Sequence, residues 1–179
     1  GGPSFRPFDQ RLQMVMSPKI QRLASHPRLH DLMRKPQMLR VMLEVPAEHE
    51  SEIQFWASEA DIADWWWRER VCEGLVTSTE GTLARNLACA MADRLEVELS
   101  ENKADGYESA VNKLIHAGVL LPVKGGKLRF VHDLYTDWSR LRHLRQLGDG
   151  LFAFAEKQIE NPPWFRTLSL LCQQFLERD

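Results

Sequence analysis

The chain has 179 residues, 44% of them hydrophobic and 27% charged, with a formal net charge of −2. That is enough apolar content for one domain or two small ones, and the charge gives no overall pull toward nucleic acid or an anionic membrane. No apolar run approaches the length of a membrane span and no secretory signal opens the chain, so a soluble cytoplasmic protein is expected. The three cysteines, Cys72, Cys89 and Cys172, are odd in number and far apart. They read as reduced core thiols rather than a disulfide framework.

Taken in order, Gly1-Gly2-Pro3-Ser4 has the look of a cloning or processing remnant, and 5–16 reads as an extended connection from something preceding it. Ser17-Pro18 reads as a helix cap followed by its first residue. Pro27 and Pro36 then divide the chain into short helices, because the residue before a proline is pushed out of helical conformation. Leu29, Leu32, Met33, Met38, Leu39, Met42 and Leu43 give these helices an apolar face. His26 and His30 are four apart, but Pro27 lies between them and no third ligand stands nearby, so the pair does not make a metal site. The acidic stretch 45–52 reads as a loop, and Ser58-Glu-Ala-Asp61 as a capping box opening a helix through Val71. That helix carries Trp65-Trp66-Trp67, which point about 100° apart, so at least one is expected to face a neighbouring domain or solvent.

Leu83, Leu87, Met91 and Leu95 mark the next amphipathic helix, and Tyr107, Val111, Leu114 and Ile115 another that stops at Gly118. Val119 to Lys124 and Lys127 to Val131 then read as two strands joined by Gly125-Gly126, the residue type a tight turn with positive φ requires. At His132 the period changes: Leu134, Trp138, Leu141 and Leu144 recur at helical spacing. A strand feeding directly into a helix there presents unpaired N–H groups and a positive dipole end, which favour an anion. Gly148-Asp149-Gly150 and Pro162-Pro163 set off two final helices that read as the beginning of a helical array.

The order helix, helix, hairpin, helix is that of a winged-helix module, and many such modules read DNA. Here the presumed reading element, 96–113, holds Glu96, Glu98, Glu101, Asp105 and Glu108 against Lys103 and Lys113. A local charge of about −3 opposes the cationic phosphate contacts that DNA binding draws on. The best support for a DNA-binding regulator is the group Arg140, Arg142, His143 and Arg145 on the helix after the hairpin. A purely helical protein–protein adaptor, binding through the tryptophans and the C-terminal pair, is the other alternative. No nucleophile with a supporting base, and no supported carboxylate pair, suggests an independent hydrolase.

Val131-His132-Asp133 resembles the Met-His-Asp motif in the winged helix of STAND-type signalling ATPases, the group that includes NACHT and NB-ARC proteins, and the following Leu134-Tyr135-Thr136-Asp137-Trp138 is similar to that pattern. Upstream, Leu29 to Leu43 resembles the family's helical lid, in which a proline at a helix start packs against adenine; Pro36 occupies that place. The resemblance organises about residues 18 to 147. It implies a mainly α fold: a helical lid bundle over 5–72, a winged-helix domain with one β-hairpin over 73–147, and a C-terminal helical pair over 148–179 leading toward a sensor.

The chain departs from the family in lacking any Gly-x-x-x-x-Gly-Lys-Ser/Thr; Gly125-Gly126-Lys127-Leu128 fails in spacing and in the residue after lysine. The chain alone is therefore expected not to be an enzyme, but an excised regulatory piece. What the resemblance implies is that ADP, later ATP, is held between this piece and its own upstream nucleotide-binding domain, with magnesium bound by that domain. His132 would meet the β-phosphate, Pro36 the base, and Asp133 would cap the helix so that His132 is aimed. Exchange of ADP for ATP would release the switch and allow homo-oligomerisation in signalling or defence, in response to a trigger and toward an effector that these residues do not name.

Overall fold

The computed structural model describes Lys19, Gln21, Leu23, residues 25–74 and residues 78–178. The opening segment 1–16 and the Ser17-Pro18 helix start lie outside the described residues. Within them the protein is mainly helical, with one small antiparallel sheet. It divides into two compact units, the first ending at Ile62 and the second beginning at Ala63. The division thus falls inside a helix, where the sequence suggests 72/73, and the C-terminal helices belong to the second unit.

In the first unit, Pro27 opens a short 3-10 turn, Pro27–Leu29, that leads into α1 (His30–Met33), and Pro36 opens α2 (Pro36–Leu43). His26 (ψ 102°) and Lys35 (ψ 112°) are extended, the restriction a following proline imposes. One face of α2 buries Met38, Val41 and Met42, each contributing roughly 1.5–3 kcal/mol by leaving water. The stretch expected to be a loop is instead a 3-10 helix, Ala47–Phe55, anchored by buried Ile53. Its acids do not prevent this: Glu48 and Glu50 sit in the first turn, where the helix end favours negative charge, and His49 Nδ1 lies 2.8 Å from Glu52.

The helix α3 (Glu59–Trp66) begins as the capping box predicts: the Asp61 carboxylate accepts from the Ser58 N–H at 2.9 Å and the Ala57 N–H at 2.8 Å. It continues as a wider π-helical turn, Trp67–Val71, and is closed by Glu73 and Gly74, both at positive φ. Of the two settings expected for at least one of the three tryptophans, a neighbouring domain or solvent, burial excludes solvent. Trp65, Trp66 and Trp67 are 2%, 2% and 8% exposed. All three are buried because the turn widens at Trp67 and two other helices of the second unit supply partners in different directions.

Ser78 caps α4 (Thr79–Arg94), its Oγ accepting from the Gly81 N–H at 2.9 Å. A Cβ on Gly81 would stand 3.0 Å from Cys72 Sγ and 3.2 Å from the Trp67 ring, so glycine lets this helix start close against the π turn. Leu95, expected on the buried stripe, is not helical: it takes φ +55° at the helix end and is 69% exposed. A two-residue strand β1 (Leu99–Ser100) and a 3-10 turn lead to α5 (Glu108–His116), then β2 (Leu120–Val123) and β3 (Lys127–Phe130). Gly125 (φ +84°) and Gly126 (φ +65°) make the turn.

β3 is the middle strand, in the order β1-β3-β2, with Leu99 opposite Leu128 and Leu120 opposite Phe130. The sequence shows only the hairpin; β1 is too short for its alternation to register. The helix α6 (Asp133–Gln146) follows and packs on α4 and on α8 (Pro162–Arg178), with α7 (Leu151–Gln158) between. Leu128, Trp138, Leu141, Leu144 and Trp164 are buried at the centre of this unit.

Candidate functional site

β3 joins α6 through a two-residue bend. Beyond β3 the chain bends at Val131 and His132, with His132 itself in extended dihedrals (φ −137°, ψ 142°), and the helix begins at Asp133. Val131 and Asp133 turn to one side and His132 to the other.

On the His132 side stands a column of rings. The imidazole meets Tyr135 edge-on at 5.7 Å; Tyr135 stacks on Trp66 at 4.6 Å and 22°; Trp66 meets Trp138 edge-on at 5.4 Å. Tyr135, Trp66 and Trp138 are buried, so the half-buried histidine rests on a fixed platform. Neither of its ring nitrogens makes a hydrogen bond among the described residues, and its side chain does not cap the helix; its carbonyl accepts from the Tyr135 N–H at 3.0 Å. The capping expectation for Asp133 is corrected. The cap position is His132, and Asp133 is the first helical residue, exposed, its carboxylate complementing the helix dipole instead.

On the other side Val131 and Asp133 form part of the wall of a groove of about 580 Å³, lined also by Leu95, Glu96, Val97, Arg129, Phe130, Pro162 and Pro163. Its floor holds a charge cluster absent from sequence reasoning. Asp137, 7% exposed, takes Arg140 on one carboxylate oxygen and Arg166 on the other; Arg140, 6% exposed, also donates from Nε to Thr167 Oγ1 at 3.3 Å and lies 5.8 Å from the Trp164 ring. The Asp137-to-Arg140 spacing is visible in the sequence, but Arg166 joins only through the packing of α8 on α6.

The remaining basic residues of α6 are likewise committed inward. Arg142 lies 2.8 Å from Asp64 and 5.7 Å from the Trp67 ring, and burial lowers its pKa, opposed by Asp64. Arg145 pairs with Asp64 and donates to Gln174 Oε1. His143 packs against Phe154 and Trp164; burial, then Arg85, pushes its pKa below the usual imidazole value. The arginines that best supported DNA binding are therefore buried or half-buried and paired with Asp137 and Asp64.

Pro36 lies in the first unit, exposed at the first position of α2, while His132 and Asp133 lie in the second. Its basic neighbours are engaged: Arg34 with Asp31 at 3.2 Å, and Lys35 with buried Glu59 at 3.4 Å. Of the thiols, Cys72 is buried and Cys89 half-buried, with burial and then Asp93 pushing the Cys89 pKa up to about 12. Cys172 is exposed and not a core thiol, because it falls on the outer side of α8. No group of three metal-ligating side chains occurs among the described residues, and no described helix is long and apolar enough to cross a membrane. No family model, curated protein or solved structure matches the chain.

Proposed function

We propose that the chain is the helical-lid and winged-helix portion of a STAND-type ATPase switch, holding ADP in the inactive state and releasing on exchange for ATP. The observation that carries the reading is His132: a half-buried imidazole with both nitrogens free of hydrogen bonds among the described residues, seated on Tyr135 where a strand enters a helix. Such a ring donates to a phosphate oxygen when neutral, and more strongly when protonated. The order helix, short strand, helix, hairpin, helix is what a winged helix requires, and supports the same reading. In this reading Pro36 offers a flat face to the base, Asp133 strengthens the helix start beside His132, and the upstream domain supplies the phosphate loop and magnesium.

ADP favours the closed state only by its differential interaction with it, and a charge-assisted bond from His132 contributes roughly 1.5–3 kcal/mol of that preference. In the intact protein, His132→Ala is expected to raise the ADP dissociation rate about ten- to a hundredfold and shift the population toward the assembled form. An unchanged off-rate, or a coding region with no phosphate-loop motif upstream of Phe5, defeats the reading.

The adaptor reading keeps one specific observation in its favour: Phe152, Phe165, Phe175 and Leu176 of α7 and α8 are 85%, 64%, 56% and 78% exposed. It predicts partner binding that does not respond to nucleotide. Against the DNA reading, Arg140 is paired with Asp137, and Arg142 and Arg145 with Asp64.

A further inference from the structure

The groove beside Asp133 runs along the edge of β3. Val131 donates its N–H to the Val119 carbonyl at 3.0 Å, so Val131 and Arg129 direct their backbone groups toward β2. By the same alternation Leu128 and Phe130 direct theirs toward β1. The Glu101 N–H, 2.8 Å from the Gly126 carbonyl, fits this alternation one step further along. Yet β1 begins only at Leu99, opposite Leu128. In that register the residue opposite Phe130 would be Val97, and no backbone hydrogen bond joins the two among the described residues.

The cause is the end of α4. Leu95 is left-handed and the Glu96 N–H is held by the Met91 carbonyl at 2.9 Å, which ties 95–96 to the helix and draws the chain away from β3. Phe130, 6% exposed, is left with an N–H and a C=O directed into a groove, where buried backbone groups ordinarily have partners.

The walls define what fits. Leu95, Val97, Val131, Pro162 and Pro163 are apolar, and Val97 is 78% exposed. Glu96 and Asp133 are exposed carboxylates that make no ion pair among the described residues; Arg129 is the one lining cation in the same condition, since Arg140 is already bound to Asp137. Unpaired acid therefore exceeds unpaired base. We propose that this groove binds an extended segment of a partner protein, paired through its backbone to Phe130 and carrying apolar side chains and a basic one set against Glu96 and Asp133. The proposal is independent of the nucleotide reading, because His132 points to the other side of the junction.

The test is selection of a random-heptapeptide phage library on the immobilised full chain, followed by amide shifts of the isotope-labelled chain with the enriched peptides. Apolar peptides containing Lys or Arg should emerge and should shift the Phe130 amide and slow its exchange. N-methylation at the pairing position should abolish binding. Glu96→Lys, at an exposed position that leaves the core intact, should weaken binding at least about tenfold. No enrichment, enrichment of acidic peptides, shifts that avoid 129–131, or affinity indifferent to both N-methylation and Glu96→Lys would overturn the proposal. So would Phe130 shifts that grow with protein concentration alone, which would make a second copy of the chain the occupant.

Discussion

The two sides of the β3–α6 junction are one residue apart in sequence and opposite in character. On one side His132 rests against Tyr135, Trp66 and Trp138, a closed column of rings whose outermost member is left free to bond. On the other, Val131 and Asp133 border an open groove above a buried ion-pair cluster. A two-residue bend between strand and helix is enough to give three consecutive residues these two settings. A short motif can therefore serve a packed, aimed group and an open surface together, provided the helix does not begin before its third residue.

Breaking the floor of the groove should have the largest effect. Asp137→Ala leaves Arg140, 6% exposed, without its carboxylate. Uncompensated buried charge of this kind costs about 3–5 kcal/mol, which a urea-denaturation midpoint will show as a large shift. Breaking the ring column comes next. Tyr135→Ala removes the platform beneath His132 and a face of Trp66, at a cost of about 3 kcal/mol by the same measurement, and should loosen His132 as judged by its side-chain relaxation. Comparable losses with His132 unaffected would mean that the imidazole is placed by the backbone alone.

The smallest effect should be a gain. Leu95 holds φ +55° with little burial to offset it, so Leu95→Gly should stabilise the chain by about 1 kcal/mol in thermal unfolding. A loss would show that the Leu95 side chain packs usefully on the groove rim.

Much of both units was legible because the signals are local. The glycine pair of the hairpin turn, the proline-led helices, the capping box at Ser58 and the change of period at His132 each depend on residues a few positions apart. Where reading by pattern failed, the deciding contact was distant. The 3-10 helix at 47–55 has no helical periodicity to detect, and β1 exists only because β3 lies beside it. The arginines of α6 looked like a solvated or DNA-facing surface until α3 and α8 brought Asp64, Gln174 and Thr167 to them.

What the sequence by itself determined is where the chain turns, where helices start and that His132 stands at a strand-to-helix junction, because backbone preferences and side-chain spacing act over one or two turns. Tertiary structure alone decided that all three tryptophans are buried, that the α6 arginines face inward, and that the edge of β3 at Phe130 is left open. Burial, charge pairing and strand completion depend on which elements meet, and those partners lie tens of residues away.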